Sequence, residues 1–370
     1  MKRIELPLAG ADARLDQVIG WLANESSAKW SAIAAASEDA SFRRYFRVTA
    51  DSGDTAIVMD APPERENVDH FLNVLSLLES GGINVPKLLA SDVRQGFLLI
   101  GDLGGTTYLS ALNALGVGDN AIRNALFHDA IDTLVRIQLI DPSKAKTKLG
   151  EYHARLLRRE IDLFPDWYLA QHLKLELSDD EKNGLERVYA ALIASALAQP
   201  TVLVHRDYMP RNLMVVPPDS QNMNAEFGKN AGAVTTKNPG VLDFQDAVTG
   251  PISYDIASLM RDAFISWEEP QVIDWTVRYW ERAKKAGLPV RHDFSEFYRE
   301  FEWMGLQRHL KVMGIFARIN YRDGKPKYLS DAPRFVSYVR GVAQRYEAFA
   351  PLLRLFDRIE NRGAQVGYTF

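Results

Sequence analysis

Val202-Leu203-Val204-His205-Arg206-Asp207-Tyr208-Met209-Pro210-Arg211-Asn212-Leu213-Met214-Val215-Val216 is the stretch that decides how this chain is read. Apolar runs at 201–204 and 213–216 flank a polar turn, and runs of that length with Pro210 between them predict two short buried strands joined by a loop. A loop anchored by strands on both sides is a rigid platform for chemistry. A third apolar run, Val241-Leu242-Asp243-Phe244, ends in another acid. Asp207, Asn212 and Asp243 are therefore expected to meet in space.

The 370 residues leave room for two lobes rather than one simple core. A hydrophobic content of 46% with 25% charged residues is ordinary for a soluble globular chain. The net charge of -4 gives no electrostatic hold on nucleic acid, so the expected partner is a small molecule. The absence of cysteine excludes disulfides, thiolate zinc sites and a cysteine nucleophile. Seven scattered histidines, with no His-Glu-x-x-His pair, argue against a histidine metal site. The first residues have no apolar core of a signal peptide, and no apolar run of about 18 residues could span a bilayer, so no membrane contact and a cytoplasmic location are expected.

Outward from the central stretch, the periodicity predicts a helix over 14–34, strands at 41–48 and 55–59, and a helix over 67–78 stopped by Gly81-Gly82. Strands at 85–89 and 97–100 follow, and Gly101-Asp102-Leu103-Gly104-Gly105 suits a bend where backbone, not side chains, makes the contact. Helical spacing then dominates at 121–139, 151–163, 180–198, 253–266, 270–286, 294–320 and 331–347. The fold class is α+β, with a small sheet-plus-helix lobe over 1–100 and a mainly helical lobe over 101–370. Residues 217–240, rich in Asn, Gly, Pro and Ser, are expected to be an exposed insertion between two strands.

An isolated Asp–Asn pair means little, because turns favour both residues. The combination His-x-Asp-x-x-x-x-Asn between strands, followed by an Asp at a strand end, is the layout that transfers a phosphoryl group from a magnesium nucleotide. Magnesium takes hard oxygen ligands, which the Asn212 amide and the Asp243 carboxylate can supply. A separate carboxylate, Asp207, can accept the proton of an attacking hydroxyl. His205 is expected to pack beneath the loop and brace its backbone.

His205 to Met214, Val241 to Asp246, and Gly250-Pro251-Ile252-Ser253-Tyr254-Asp255-Ile256-Ala257 resemble the aminoglycoside phosphotransferase and choline kinase superfamily, over nearly the whole chain. The resemblance implies a bilobal protein-kinase-like fold using ATP and Mg2+. It makes Asp207 the catalytic base, Asn212 and Asp243 the metal ligands, and Asp255 a buried acid bracing the loop. Gly101, Asp102 and Leu103 become the hinge that bonds the adenine edge. The lobe over 1–100 then binds nucleotide, and the lobe over 101–370 carries catalysis and substrate binding.

Two departures stand out. Asp39-Ala40-Ser41-Phe42 has no glycine where protein kinases carry a glycine-rich loop, and Thr55-Ala56-Ile57-Val58-Met59-Asp60 has no lysine. Triphosphate still needs positive charge near it. Arg43, Arg44 and Arg47 are the nearest supply, and alternation sets Arg43 and Arg47 on one face and Arg44 with Phe42 and Phe46 on the other. Arg44, on the apolar face, is costlier to bury unpaired and is favoured for phosphate contact. The alternatives are solvated arginines, or pairing of one of them with Glu64 or Glu66.

Residues 41–47, 59–64, 158–167 and 303–311 resemble the bacterial sugar kinases of cell-wall recycling, which phosphorylate the anomeric hydroxyl of N-acetylmuramate and N-acetylglucosamine. An amino sugar calls for an aromatic platform and carboxylates, with Trp167, Trp303, Glu160 and Asp262 as candidates. The lactyl carboxylate of N-acetylmuramate would want a forked arginine from Arg261, Arg308 or Arg318. Core packing for the tryptophans and a solvated face for Arg308 and Lys311 are the competing readings. A choline-like acceptor with an aromatic cage, an aminoglycoside-like acceptor, and a silent nucleotide-binding module remain open alternatives.

Overall fold

The computed structural model describes residues 12–25, 29–37, 42–116, 118–216 and 238–360. The first elements are α1 (Ala13–Glu25), β1 (Trp30–Ser37), β2 (Arg44–Ala50), β3 (Thr55–Asp60), α2 (Val68–Ser80), β4 (Leu88–Asp92) and β5 (Phe97–Gly101). The five strands form one antiparallel sheet in the order β1-β2-β3-β5-β4. Register puts Phe46, Val48, Ala56, Val58, Phe97 and Leu99 on one face, and Val18, Trp21 and Leu22 of α1 cover it. Tyr45, Arg47, Ile57, Met59, Leu98 and Ile100 lie on the other face.

Local chemistry explains most boundaries. Asn67 caps α2 by accepting the Asp69 amide at 2.8 Å, and Gly82 leaves the helix in a left-handed conformation, φ +70°. The helix expected over 14–34 stops at Glu25, and Trp30–Ser37 is a strand instead. That alanine-rich segment favours helix by propensity, and pairing with β2 overrides it. The strand expected at 85–89 starts later, at Leu88, past Pro86, which has no amide to donate.

The chain continues through α3 (Tyr108–Ala114), α4 (Asn120–Gln138), β6 (Gly150–Glu151), α5 (Ala154–Ile161), a π-helix at Phe164–His172, α6 (Asp179–Leu197), β7 (Thr201–Val204), β8 (Leu213–Met214), β9 (Gly240–Val241), β10 (Val248–Pro251), α7 (Tyr254–Met260), α8 (Glu269–Lys285), α9 (Phe294–Asp323), α10 (Ala332–Ala343) and α11 (Ala350–Ile359). β7 pairs with β10, which pairs with β6, while β8 and β9 form a two-residue ladder. Apart from residues 238–240, the insertion expected over 217–240 lies outside the described residues.

The chain divides into two compact units. The described residues of the first fall in Met1–Asp129, Ser143–Lys148 and Arg211–Asp246; the second is Ala130–Pro142, Leu149–Pro210 and the described part of Ala247–Phe370. The sequence boundary near 101 coincides with the end of the five-stranded sheet, while packing adds α3, part of α4 and β8–β9 to the first unit. The second unit is built on α9, whose buried Leu306, Leu310, Met313 and Phe316 join Phe164, Val188, Phe335 and Phe356. A Cβ on Gly314 would lie 2.3 Å from the backbone of Leu163, so only glycine lets α9 meet the chain where it enters the π-helix. Among the described residues no helix is long and apolar enough to cross a membrane.

Candidate active site

The loop after β7 belongs to the second unit. Asp255 on α7 is fully buried and accepts the backbone amides of His205 at 2.7 Å and Arg206 at 2.9 Å. Burial raises the Asp255 pKa, and the two amide hydrogen bonds and the neighbouring His205 and Arg308 oppose that rise. His205 is buried with its ring edge-on to Tyr208, and its Nδ1 lies 3.3 Å from the Asp207 amide as acceptor. Tyr208 donates to the Ala130 carbonyl at 2.8 Å, anchoring the loop to α4. Arg206 has φ +78°, a conformation a β-carbon disfavours and one that surrounding bonds must hold.

Those bonds reach each polar part of Arg206. Its carbonyl accepts from Arg308 at 3.1 Å and from the Ser258 hydroxyl at 3.4 Å. Its guanidinium donates to Glu160 at 2.9 Å and to the Tyr152 hydroxyl at 3.4 Å. Glu160 also accepts from Lys311 at 2.9 Å, Tyr152 at 3.0 Å and Gln307 at 3.4 Å. Burial raises the Glu160 pKa, but Lys311 and Arg206 outweigh it and bring the group down to about 2. Lys311 itself is lowered by burial and raised by Tyr254 and Glu160, with a net rise. A buried charge cluster from α5, α7 and α9 thus grips the residue before Asp207.

Asn212 and Asp243, the pair expected to hold metal, belong to the first unit. Asn212 closes the short 3₁₀ turn Pro210–Asn212 directly before β8, and Asp243 follows β9. The Asn212 amide donates to Asp243 at 3.1 Å, and Gln245 donates to the other Asp243 oxygen at 2.8 Å. The Leu242 amide donates to the Asn212 carbonyl at 2.9 Å, which fixes the register of the two residues. Asp243 has φ +62°, a second strained non-glycine position. Asp207 lies in the other unit, five residues before Asn212 in the chain. Among the described residues no cluster of three His, Asp or Glu ligands is found, so a cation here would rest on a mixed amide–carboxylate oxygen set.

The arginines near β2 sort differently from expectation. Arg44 lies on the face that α1 covers, directly opposite Asp60 in the register, and pairs with it at 2.6 Å and with Asp12. The wholly buried Asp60 is shared with Arg14 at 2.7 Å. Arg44 is therefore committed to two carboxylates on the face that α1 covers, and the expected phosphate role is withdrawn. Arg43 instead pairs with Glu66, just before α2, at 2.9 Å, and both side chains are largely buried. Arg47 pairs with Asp102 at 2.6 Å and donates to the Gly104 carbonyl at 2.9 Å. Gly101 bonds through its amide to the Lys87 carbonyl at 2.8 Å. Among the described residues no hydrogen bond reaches the Leu103 backbone.

The expected sugar contacts are mostly committed to the fold. Glu160 has its oxygens filled by the cluster above. Trp303 packs into the core against Phe349 at 4.7 Å, and Trp167 on the π-helix is half-buried beside the same core. Asp262 folds back to accept the Phe264 amide and, at 3.1 Å, the Ile265 amide, which ends α7 before the expected residue 266. Arg261 pairs with Glu269 at 2.8 Å. Arg308 and Lys311 are buried partners of the loop cluster, not a solvated face. Trp275 is wholly buried with Trp267 edge-on to it, and Trp280 donates to the Arg291 carbonyl, so these late-helix aromatics serve packing rather than a choline cage. Tyr152 and Tyr254 were missed; nothing in their spacing marks them.

A model of the phosphotransferase enzyme family, APH, matches residues 32–225 and 233–294. An N-acetylmuramate/N-acetylglucosamine kinase of Pseudomonas putida is 46% identical over 359 residues, 94% of this chain and 97% of that protein. The protein of the same name from Neisseria meningitidis is 45% identical over 336 residues, 90% of this chain and 93% of its own. Among solved structures, the GDP complex of wild-type aminoglycoside 2'-phosphotransferase-IIIa gives a TM-score of 0.59 at 14% identity, covering 90% of this chain and 99% of that one. ADP-bound aminoglycoside phosphotransferase APH(2'')-Ib gives 0.53 at 13%, covering 89% and 98%. The likeness to these structures shows the fold, which is protein-kinase-like; by the match of the family model and of near full-length relatives, the chain belongs to the phosphotransferase enzyme family.

Proposed function

We propose that the protein is a sugar kinase that transfers the γ-phosphoryl group of ATP to the anomeric hydroxyl of N-acetylmuramate and N-acetylglucosamine, supplying a sugar 1-phosphate for cell-wall recycling in the cytoplasm. The observation that carries the reading is the likeness, at 46%, 45% and 47% identity, to three kinases bearing those substrates in their names. The roles follow from that reading. Asp207 accepts the proton of the anomeric hydroxyl as its oxygen attacks the γ-phosphorus, the bond to the bridging oxygen breaks, and ADP leaves. Asn212 and Asp243, held 3.1 Å apart, offer the hard oxygens that suit Mg2+. Magnesium bound there would neutralise charge on the phosphate oxygens.

Arg43 takes the place of the missing third-strand lysine, because it is held by Glu66 while Arg44 is spent on the opposite face. The bend Gly101-Asp102-Leu103, pinned by Arg47, meets the nucleotide base with its backbone. Residues 1–100 serve the nucleotide, and residues 101–370 catalysis and acceptor. Turnover of Mg-ATP with a panel of amino sugars, choline and aminoglycosides, read by phosphorus NMR of the product, tests the reading. An anomeric phosphate ester of either N-acetylated sugar is expected. ATP binding without turnover on any hydroxyl acceptor would favour the silent module.

A further inference from the structure

The β8–β9 ladder ends at Val241, and Asp243 beyond it has φ +62°, so hydrogen bonds rather than strand pairing aim its carboxylate. Asn212 donates to Oδ2 at 3.1 Å, and Gln245 donates to Oδ1 at 2.8 Å. Gln245 comes from the same loop and is only 8% exposed. Between the two residues, Phe244 is wholly buried with its ring 4.8 Å from that of Phe71 on α2. That contact pins the short backbone joining Gln245 to Asp243. The amide is thus a clamp with one end fixed to α2 and the other on the carboxylate.

Charge decides which way the Gln245 amide points. Its Nε2 faces Asp243 and stands 3.5 Å from Asp246, so turning the amide over would set an oxygen against two carboxylates. The cost falls at the other end of the amide. Among the described residues the buried Oε1 of Gln245 has no hydrogen-bond partner, and a buried acceptor without a donor is unfavourable. A methionine of similar shape would fill the same space without that cost, so packing alone does not account for a glutamine here.

We propose that Gln245 is a positioning residue for Asp243, fixing the plane of the carboxylate that would meet Mg2+ beside Asn212. The inference rests on the reading of Asn212 and Asp243 as the metal pair. Donors that orient a ligating carboxylate set the affinity of the site for its cation.

Calorimetric titration of ADP into the full-length chain, once with Mg2+ and once with EDTA, tests it on wild type, Gln245→Met, Asp243→Asn and the double variant. Urea midpoints are measured on the same samples. Gln245→Met should weaken Mg-ADP binding by about 10- to 100-fold and leave ADP binding in EDTA unchanged. Its midpoint should hold or rise, because the unpartnered oxygen is gone. On the Asp243→Asn background the same change should cost nothing further, because Gln245 acts through Asp243. A merely structural glutamine would give the reverse, a lower midpoint with Mg-ADP affinity unchanged, and that result would overturn the assignment. So would an equal loss in EDTA, or a full further loss in the double variant. Wild-type binding of ADP no tighter with Mg2+ than with EDTA would instead overturn the metal reading on which it stands.

Discussion

Of the buried carboxylates that hold arginines, Asp60 and Glu160 make an instructive pair, because only Glu160 is tied to the loop that carries Asp207. Asp60, in the first unit, is shared by Arg14 and Arg44 on the sheet face that α1 covers. Glu160, in the second, holds Arg206 and Lys311. The two sites look alike as ion pairs. They differ in the backbone the arginine sits on: Arg44 opens β2 and is held in the ladder opposite Asp60, whereas Arg206 is a strained loop residue with Asp207 next to it. A buried pair matters to catalysis through the backbone it immobilises, not through its own strength.

The comparison can be broken by experiment. Replacing Asp207 by Asn should have the largest effect, a rate loss of about 10²- to 10⁴-fold. Glu160→Ala, which leaves Arg206 and Lys311 buried without their acid, should destabilise the fold by about 3 to 5 kcal/mol. The milder Glu160→Gln should lower kcat of the folded protein while both KM values stay near wild type, since the loop moves and the binding groups do not. Asp60→Asn should also lower the unfolding midpoint in urea, yet leave kcat per folded molecule unchanged. A kcat loss in Asp60→Asn equal to that in Glu160→Gln would erase the distinction.

A smaller effect concerns pH. Glu160 is held at about 2, below its ordinary 4.5, so its contribution to stability is whole above pH 4.5 and is lost as pH falls toward 2. Urea midpoints measured across that window should decline more steeply for wild type than for Glu160→Gln. Parallel curves would mean that Glu160 is not the depressed group. Asp243→Asn tests the other unit: Mg-ATP should bind more weakly in calorimetry, with the midpoint little altered.

What could be read from the chain follows from the range of the forces involved. The strand–loop–strand of 201–216 and the long helices are local patterns, and Thr201–Val204, α4, α6, α8 and α9 fall close to their expected limits. The strand Trp30–Ser37 was hidden because its alanines favour helix and only the partner strand decides otherwise. The Asn212–Asp243 contact was foreseen across 31 residues of sequence because the chemistry demands two oxygen ligands. The pairing of Arg44 with Asp60 was not, because alternation assigns faces without saying which one α1 covers. Glu160 has the right chemistry for a sugar, but its Tyr152, Arg206 and Lys311 partners come from distant segments that no spacing rule connects.

The central claim is that Asp207 is the base for phosphoryl transfer to an amino sugar. Its most direct test is the rate of sugar phosphorylation by wild type and Asp207→Asn under saturating Mg-ATP, with nucleotide affinity and unfolding midpoint measured on the same samples. The account predicts a rate lower by about 10²- to 10⁴-fold with affinity and midpoint preserved. An Asp207→Asn protein that phosphorylates either sugar at the wild-type rate would contradict it.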